Sequence, residues 1–103
     1  MSATATLQRH GGSVWTVSGA LDMASVPAVI EDAVKQWANE STITVDLGNV
    51  MRIDSSALAL LIEWRRQADR SQRTLTMRNA PKALESMAEL CGVAQFLPPV
   101  VAT

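Results

Sequence analysis

Polar and apolar residues alternate along several short segments of the chain, and this pattern predicts β-strands. Thr42–Leu47 reads Thr-Ile-Thr-Val-Asp-Leu, and Thr74–Arg78 repeats the alternation over five residues. Ser13–Ser18 is rich in β-branched and aromatic residues, which strands favour, and Thr4–Gln8 alternates weakly. We therefore predict a central strand at Thr42–Leu47. We also predict an N-terminal hairpin that turns at His10–Gly12 and has Thr4–Gln8 as its edge strand.

Three other segments carry apolar residues at the spacing of helices. In Val26–Ala38 the apolar positions recur every three or four residues, which is one face of a helix. They are Val26, Val29, Ile30, Ala33, Val34 and Trp37. Ser55–Arg70 is apolar nearly all round in its first turns, from Ala57 to Ile62, so we expect it to be covered on more than one side.

The third predicted helix spans Pro81–Cys91. Pro81 suits its first turn, and Gly92 suits the position just past its end. Its predicted buried face consists of Leu84, Met87, Ala88 and Cys91. The segment Gly48–Asp54 is predicted to be a loop. Gln95–Val101 could supply a short last strand, which Pro98-Pro99 would restrict to an edge or a tail.

This order of elements, ββαβαβα with a possible last strand, predicts one α/β domain over residues 1–103. Strands that alternate with helices are joined by crossover connections, which produce parallel neighbours. We therefore expect a mixed, mainly parallel sheet of four or five strands with helices on one face. The core should include Val29, Ile30, Val45, Leu47, Leu58, Leu61 and Ile62.

Composition limits the classes of function. The net charge of −1 gives no general attraction to nucleic acid. The N-terminus is polar, no apolar run could span a bilayer, and the single cysteine fits a reducing compartment, so we expect a cytoplasmic protein. His10 is the only histidine, so we predict no metal site and no cofactor.

The most informative stretch joins the central strand to the second helix through Asp54, Ser55 and Ser56. Ser55 occupies the expected N-cap position, where a hydroxyl accepts a backbone N–H and stabilises a helix by about 1 kcal/mol. The same free N–H groups and the helix dipole suit a phosphate or a partner's carboxylate. A hydrolase using Ser55 or Ser56 is a further hypothesis, but the chain offers only His10 as a base.

At these residues the chain resembles the STAS domains (sulfate transporter and anti-sigma-factor antagonist). The resemblance rests on the element order, on Gly19-Ala20-Leu21-Asp22, on Val45-Asp46-Leu47, and on Ile53-Asp54-Ser55-Ser56. Anti-sigma-factor antagonists of this family are phosphorylated by a kinase on a serine that corresponds to Ser55. They typically have glycine where this chain has Ala57, so the resemblance to that branch is incomplete.

The run Leu58-Ala59-Leu60-Leu61 instead resembles Mla-type STAS subunits of phospholipid transport systems, which maintain outer-membrane lipid asymmetry. That resemblance implies a non-enzymatic adaptor that binds the ATPase of an ABC transporter in a complex with its permease. Such an adaptor would reach the membrane only through that complex. The alternative that it leaves open is an antagonist bound by an anti-sigma-factor kinase.

Six residues are the candidates for partner binding. They are Arg52, Asp54, Ser55, Ser56, Leu58 and Trp64. Trp64 is open to two interpretations: it anchors an interface, because tryptophan is enriched in binding hot spots, or it packs against Trp37 or the sheet.

Overall fold

Strands and helices follow one another in the predicted order. A computed structural model describes residues 5–101 of the chain. Its elements are β1 (Thr6–Gly11), β2 (Val14–Leu21), α1 (Val26–Gln36), β3 (Thr42–Ile53), α2 (Ser55–Arg70), β4 (Thr74–Arg78) and α3 (Lys82–Leu90), followed by a 3₁₀ turn at Ala94–Phe96. The bounds predicted for α2 and β4 are confirmed to the residue. Thr4, the predicted start of the first strand, lies outside the described residues.

The strands form one mixed sheet in the order β1-β2-β3-β4. β1 pairs antiparallel with β2 as a hairpin, whereas the pairs β2–β3 and β3–β4 are parallel. The prediction of a mixed, mainly parallel sheet with an N-terminal edge strand is therefore confirmed. The expected last strand is reduced to one parallel bridge between Met77 and Val100, because prolines at 98 and 99 have no N–H to donate.

The core lies between one face of the sheet and the three helices. On β3, Ile43, Val45 and Leu47 are buried, and the residues between them are half-buried. On α2, six side chains are buried: Ala57, Leu58, Leu60, Leu61, Trp64 and Ala68. The predicted core residues all belong to this cluster or pack against it as partly buried neighbours, as Ile30 and Ile62 do.

Two predicted strand ends are wrong. β2 continues past Ser18 to Leu21, and β3 continues past Leu47 to Ile53, so the predicted loop Gly48–Asp54 is mostly strand. The two strands stay paired because shifts in register, near Val17 and between Gly19 and Ala20, absorb the irregular stretch. The hairpin turn also comes later than predicted, since His10 and Gly11 belong to β1.

Two residues predicted to be buried on helices are exposed. Val34 of α1 is 59% exposed because the buried face of this helix is narrower than its apolar face. Cys91 is also exposed, because α3 ends at Leu90 and Cys91 lies at its C-cap. Among the described helices, none has both the length and the apolar character needed to cross a membrane.

Candidate functional site: the start of helix α2

The ends of β2 and β3 lie side by side where α2 begins. Leu21 pairs with Ile53 at the last register position, and the Asp54 N–H donates to the Leu21 carbonyl at 3.2 Å. The next residues, Asp22 after β2 and Asp54 after β3, therefore leave the sheet at the same edge, and Ser55 follows Asp54 as the first residue of α2. In open α/β sheets this carboxyl edge is where binding sites gather.

Asp54, not Ser55, caps α2. The backbone of Asp54 is extended (φ −132°, ψ −168°), and its Oδ1 accepts the Ser56 N–H at 2.7 Å. The prediction that Ser55 is the N-cap is therefore wrong by one residue. Aspartate and serine are about equally good caps, and a carboxylate gains further from the positive end of the helix dipole.

Ser55 is consequently an exposed first residue of the helix, and capping does not require its hydroxyl. No hydrogen bond joins that hydroxyl to any residue in the described range 5–101. Ser56 behaves differently, because it is half-buried and its N–H is the group that Asp54 holds. Of the two serines, Ser55 is the one presented to solvent.

An ion pair joins the ends of β2 and β3 at this edge of the sheet. Arg52 Nη2 lies 3.6 Å from Asp22 Oδ2, while Asp22 Oδ1 accepts the N–H groups of Ala24 and Ser25, each at 3.0 Å. The Ser25 N–H is the main reason that the pKa of Asp22 is lowered from 3.8, and Arg52 adds a smaller effect. Ser25 also donates its hydroxyl to the Ala20 carbonyl at 2.6 Å, which fixes the turn. Asp22 is thus held as an anion in a defined position.

Two largely exposed methionines are next in sequence to the members of this ion pair. Met23 follows Asp22 and is 78% exposed, and Met51 precedes Arg52 and is 84% exposed. The sequence analysis missed both, since neither lies on a periodic apolar face and Met51 belongs to a segment predicted to be a loop. Only the pairing of β2 with β3 brings the Met23 and Met51 segments to one edge of the sheet.

Leu58 and Trp64, which were candidates for partner binding, are buried. They are 5% and 2% exposed, and the Trp64 ring lies edge-on to Trp37 with 4.8 Å between ring centroids. Trp64 therefore packs within the core against Trp37. We do not include Leu58 or Trp64 in the proposed partner-binding surface. The side of α2 that faces solvent carries Ser55, Ala59 and Arg66 instead.

Neither the other carboxylate nor the histidine joins this site. Asp46 lies eight residues before Asp54 on the extended strand β3, a separation of roughly 20 Å or more. Its oxygens are engaged by the Arg78 guanidinium at 3.0 Å, the Asn79 amide at 3.1 Å and the Gly48 N–H at 2.9 Å. His10 lies by the opposite end of β2, near Val14, so within residues 5–101 no histidine approaches Ser55 to act as a base.

Comparisons with known proteins agree with this architecture. A family model described as "Mlab, STAS domain" matches residues 5–100. Comparison with curated proteins finds no match.

Three solved structures share the fold. The anti-sigma factor antagonist SpoIIAA in its unphosphorylated form is similar with a TM-score of 0.65 at 21% identity, over 97% of this chain and 89% of that one. The phosphorylated form of the Bacillus cell fate determinant SpoIIAA has a TM-score of 0.66 at 19% identity, over 97% of this chain and 92% of that one. The murine anion transporter Slc26a9 gives a TM-score of 0.65 at 10% identity, with 97% of this chain covering 21% of the transporter. At these identities the structures establish the fold, and the match of the family model over residues 5–100 shows that the chain belongs to the Mlab-type STAS domain family.

Proposed function

We propose that this protein is an adaptor that docks on the ATPase of a phospholipid-transporting ABC system through the surface at the start of α2. We call this surface the α2 rim and define it by Met23, Met51, Arg52, Ser55 and Ala59. The proposal rests on the family and on the chemistry of these side chains. Any association with a membrane would come through the ATPase and its permease.

The observation that carries the proposal is the exposure of Met23 and Met51, each of which is next in sequence to one member of the Asp22–Arg52 pair. Single exposed apolar residues are ordinary, but two at one charged edge favour a protein interface. Methionine is unbranched and polarizable, so it adapts to an irregular partner surface. The Asp22–Arg52 ion pair would supply orientation more than affinity.

Ser55 and Ala59 give the rim its shape. They are one helical turn apart on the exposed side of α2, and both are small. Small side chains let a partner's backbone or helix approach α2 closely. Asp54 contributes indirectly, because its cap holds the first turn that presents Ser55.

The leucines of the Leu58-Ala59-Leu60-Leu61 run support this function by fixing α2 in the core. Leu58, Leu60 and Leu61 are buried in the core, whereas Ala59 faces outward. The leucines therefore anchor α2 rigidly on the sheet, which limits the ordering cost when a partner binds. This interpretation also explains why the first turns of α2 are apolar nearly all round.

An anti-sigma-factor antagonist is the second candidate, and the exposure of Ser55 favours it. A phosphate on this hydroxyl would lie at the positive end of the α2 dipole. The Asp54 carboxylate would oppose it by repulsion. The two candidates share the same surface and differ in the partner.

Affinity purification of the tagged chain from its native cells, followed by mass spectrometry, separates the two candidates. We expect an ABC-transporter ATPase and its permease to be recovered. Recovery of a serine kinase with a sigma factor instead would establish the second candidate.

The same purification with Met51→Ala tests the rim. Leu90→Ala is the matched control, since Leu90 is 89% exposed and ends α3, which runs back from the carboxyl edge. We expect Met51→Ala to lower ATPase recovery and Leu90→Ala to leave it unchanged. Equal recovery with both variants would place the interface elsewhere.

A further inference from the structure

Two of the three tryptophans bury an indole N–H that has no acceptor in the described part of the chain. Trp15 Nε1 donates to Gln36 Oε1 at 3.0 Å, but within residues 5–101 Trp37 Nε1 and Trp64 Nε1 reach none. Both side chains are more than nine-tenths buried, at 5% and 2% exposed. Buried polar groups in folded proteins are paired with protein or with ordered water. These two N–H groups therefore need an acceptor from outside residues 5–101.

A cavity lies beside both indoles. It measures about 20 Å³ and is lined by Trp37, Trp64 and Gln67, together with Ile43, Ala68, Arg73 and Leu75. About 10–15 Å³ is enough to hold one water, provided that two to four polar partners surround it. The cavity is too small for a phosphate or a carboxylate, so the chemistry that fits it is a single water.

Gln67 offers the acceptor that such a water needs for one of its own hydrogens. Its amide nitrogen donates to Glu63 Oε2 at 3.1 Å, and this bond leaves the amide oxygen free to accept. Arg73 also lines the cavity, and its Nη2 donates to the Ala38 carbonyl at 3.3 Å. The two indole N–H groups can thus donate to a water in the cavity, and the amide oxygen of Gln67 can accept from it.

We propose that this cavity is a binding site for one ordered water. The water accepts the indole N–H groups of Trp37 and Trp64 and donates to the amide oxygen of Gln67. It therefore links the residue that follows α1 to the middle of α2, where the two rings already pack edge-on at 4.8 Å.

The test is the exchange of magnetization between water and the three indole N–H groups, measured by NMR on the ¹⁵N-labelled protein. We expect cross peaks from a long-lived water at the Nε1 protons of Trp37 and Trp64. Trp15 is the internal control, because Gln36 already accepts its N–H, and should show none. Absence of the peak at either Trp37 or Trp64, or an equal peak at Trp15, would overturn the proposal.

Gln67→Met tests the third partner, because it removes the amide at nearly constant length. We expect the water cross peaks of Trp37 and Trp64 to weaken together while the Trp15 resonance stays unchanged. Undiminished peaks in this variant would show that the water is not bridged to Gln67, contrary to the proposed site.

Discussion

The carboxylate of Asp54 accepts a hydrogen bond from the backbone N–H of Ser56 at 2.7 Å, and Ser55, the residue between them, takes no part in it. It caps α2 and leaves Ser55 without a structural task at the first helical position. The cap and the proposed partner contact therefore fall on neighbouring residues, and substitutions can separate them.

Removal of the cap should destabilise the fold, whereas removal of the Ser55 hydroxyl should not. We expect Asp54→Ala to lower the free energy of unfolding by about 1 kcal/mol. Ser55→Ala, an exposed change away from the cap, should stay within about 0.5 kcal/mol of the unsubstituted chain. Urea titration of both variants measures this difference. A larger loss of stability with Ser55→Ala than with Asp54→Ala would indicate that Ser55 is the capping residue.

Leu61 should be among the most sensitive core positions of α2, because it is fully buried against the sheet and its neighbours. Truncation to alanine leaves a cavity, and we expect Leu61→Ala to cost about 2–5 kcal/mol. Leu90→Ala, at an exposed leucine, should change stability by less than about 0.5 kcal/mol. A loss under about 1 kcal/mol for Leu61→Ala by denaturant titration would mean that α2 is not packed as described.

Two helices end in the same hydrogen-bond motif, but with different residues at its left-handed position. After α2, the N–H groups of Gln72 and Arg73 donate to the carbonyls of Asp69 and Ala68 at 3.3 and 2.8 Å. After α3, Gly92 and Val93 repeat these bonds, donating to the carbonyls of Glu89 and Ala88 at 3.1 and 2.9 Å. Both ends are therefore Schellman motifs.

The left-handed residue is Gln72 (φ 58°) in the first motif and Gly92 (φ 71°) in the second. A residue with a side chain costs about 1–2 kcal/mol in this left-handed region, and glycine avoids that cost. Glycine also makes the unfolded chain more flexible, which offsets part of the advantage. We expect Gln72→Gly to raise the melting temperature and Gly92→Ala to lower it. A lower melting temperature for Gln72→Gly would show that the glutamine side chain stabilises this turn.

Asp46 should contribute to the loss of stability in acid. Its partial burial raises the pKa, but hydrogen bonds from Gly48, Asn79 and Arg78 outweigh that effect, so the pKa is lowered from 3.8. A carboxyl with a lowered pKa in the folded state stabilises the protein fully above pH 3.8 and loses that contribution as the pH falls through its folded-state pKa.

Asp46→Asn should therefore be less stable than the unsubstituted chain near neutral pH and should lose less stability on acidification. Urea titrations at pH 7 and pH 3 measure both effects. Some acid sensitivity should remain, since the pKa of Asp22 is lowered as well. Parallel stability curves for the two proteins would exclude this role of Asp46.

The periodic segments were predictable from sequence, and the positions where periodicity fails were not. The alternation in β4 and the long apolar face of α2 define those elements to the residue. β3 loses its alternation at Gly48-Asn49, although pairing with β2 continues through shifts in register that no single-strand pattern encodes. The end of β3, and with it most of the expected loop, was therefore misplaced.

The sequence placed Asp54 and Ser55 at the junction of β3 and α2, where the structure has them, but it did not resolve which of them caps the helix. Asp54 and Ser55 are adjacent residues with similar capping preferences, so sequence alone does not decide between them. Trp64 looked suitable for an interface because of its residue type, whereas its burial depends on Trp37, 27 positions earlier in the chain. Met23 and Met51 carry no periodic signal, and only the pairing of β2 with β3 brings their segments to one edge.

The central claim is that Ser55 belongs to the partner-binding surface and not to the cap. Ser55→Asp tests it most directly, because a carboxylate at the start of a helix suits the helix dipole and should leave folding intact. At an interface shaped for a small neutral hydroxyl, the same carboxylate would be buried without a partner beside Asp54.

The measurement is the affinity of purified Ser55→Asp for the transporter ATPase, with a thermal melt of the same sample. The account predicts an unchanged melt and binding weakened by at least about 100-fold. Binding unchanged from that of the unsubstituted chain, with an intact fold, would contradict the claim and exclude Ser55 from the interface.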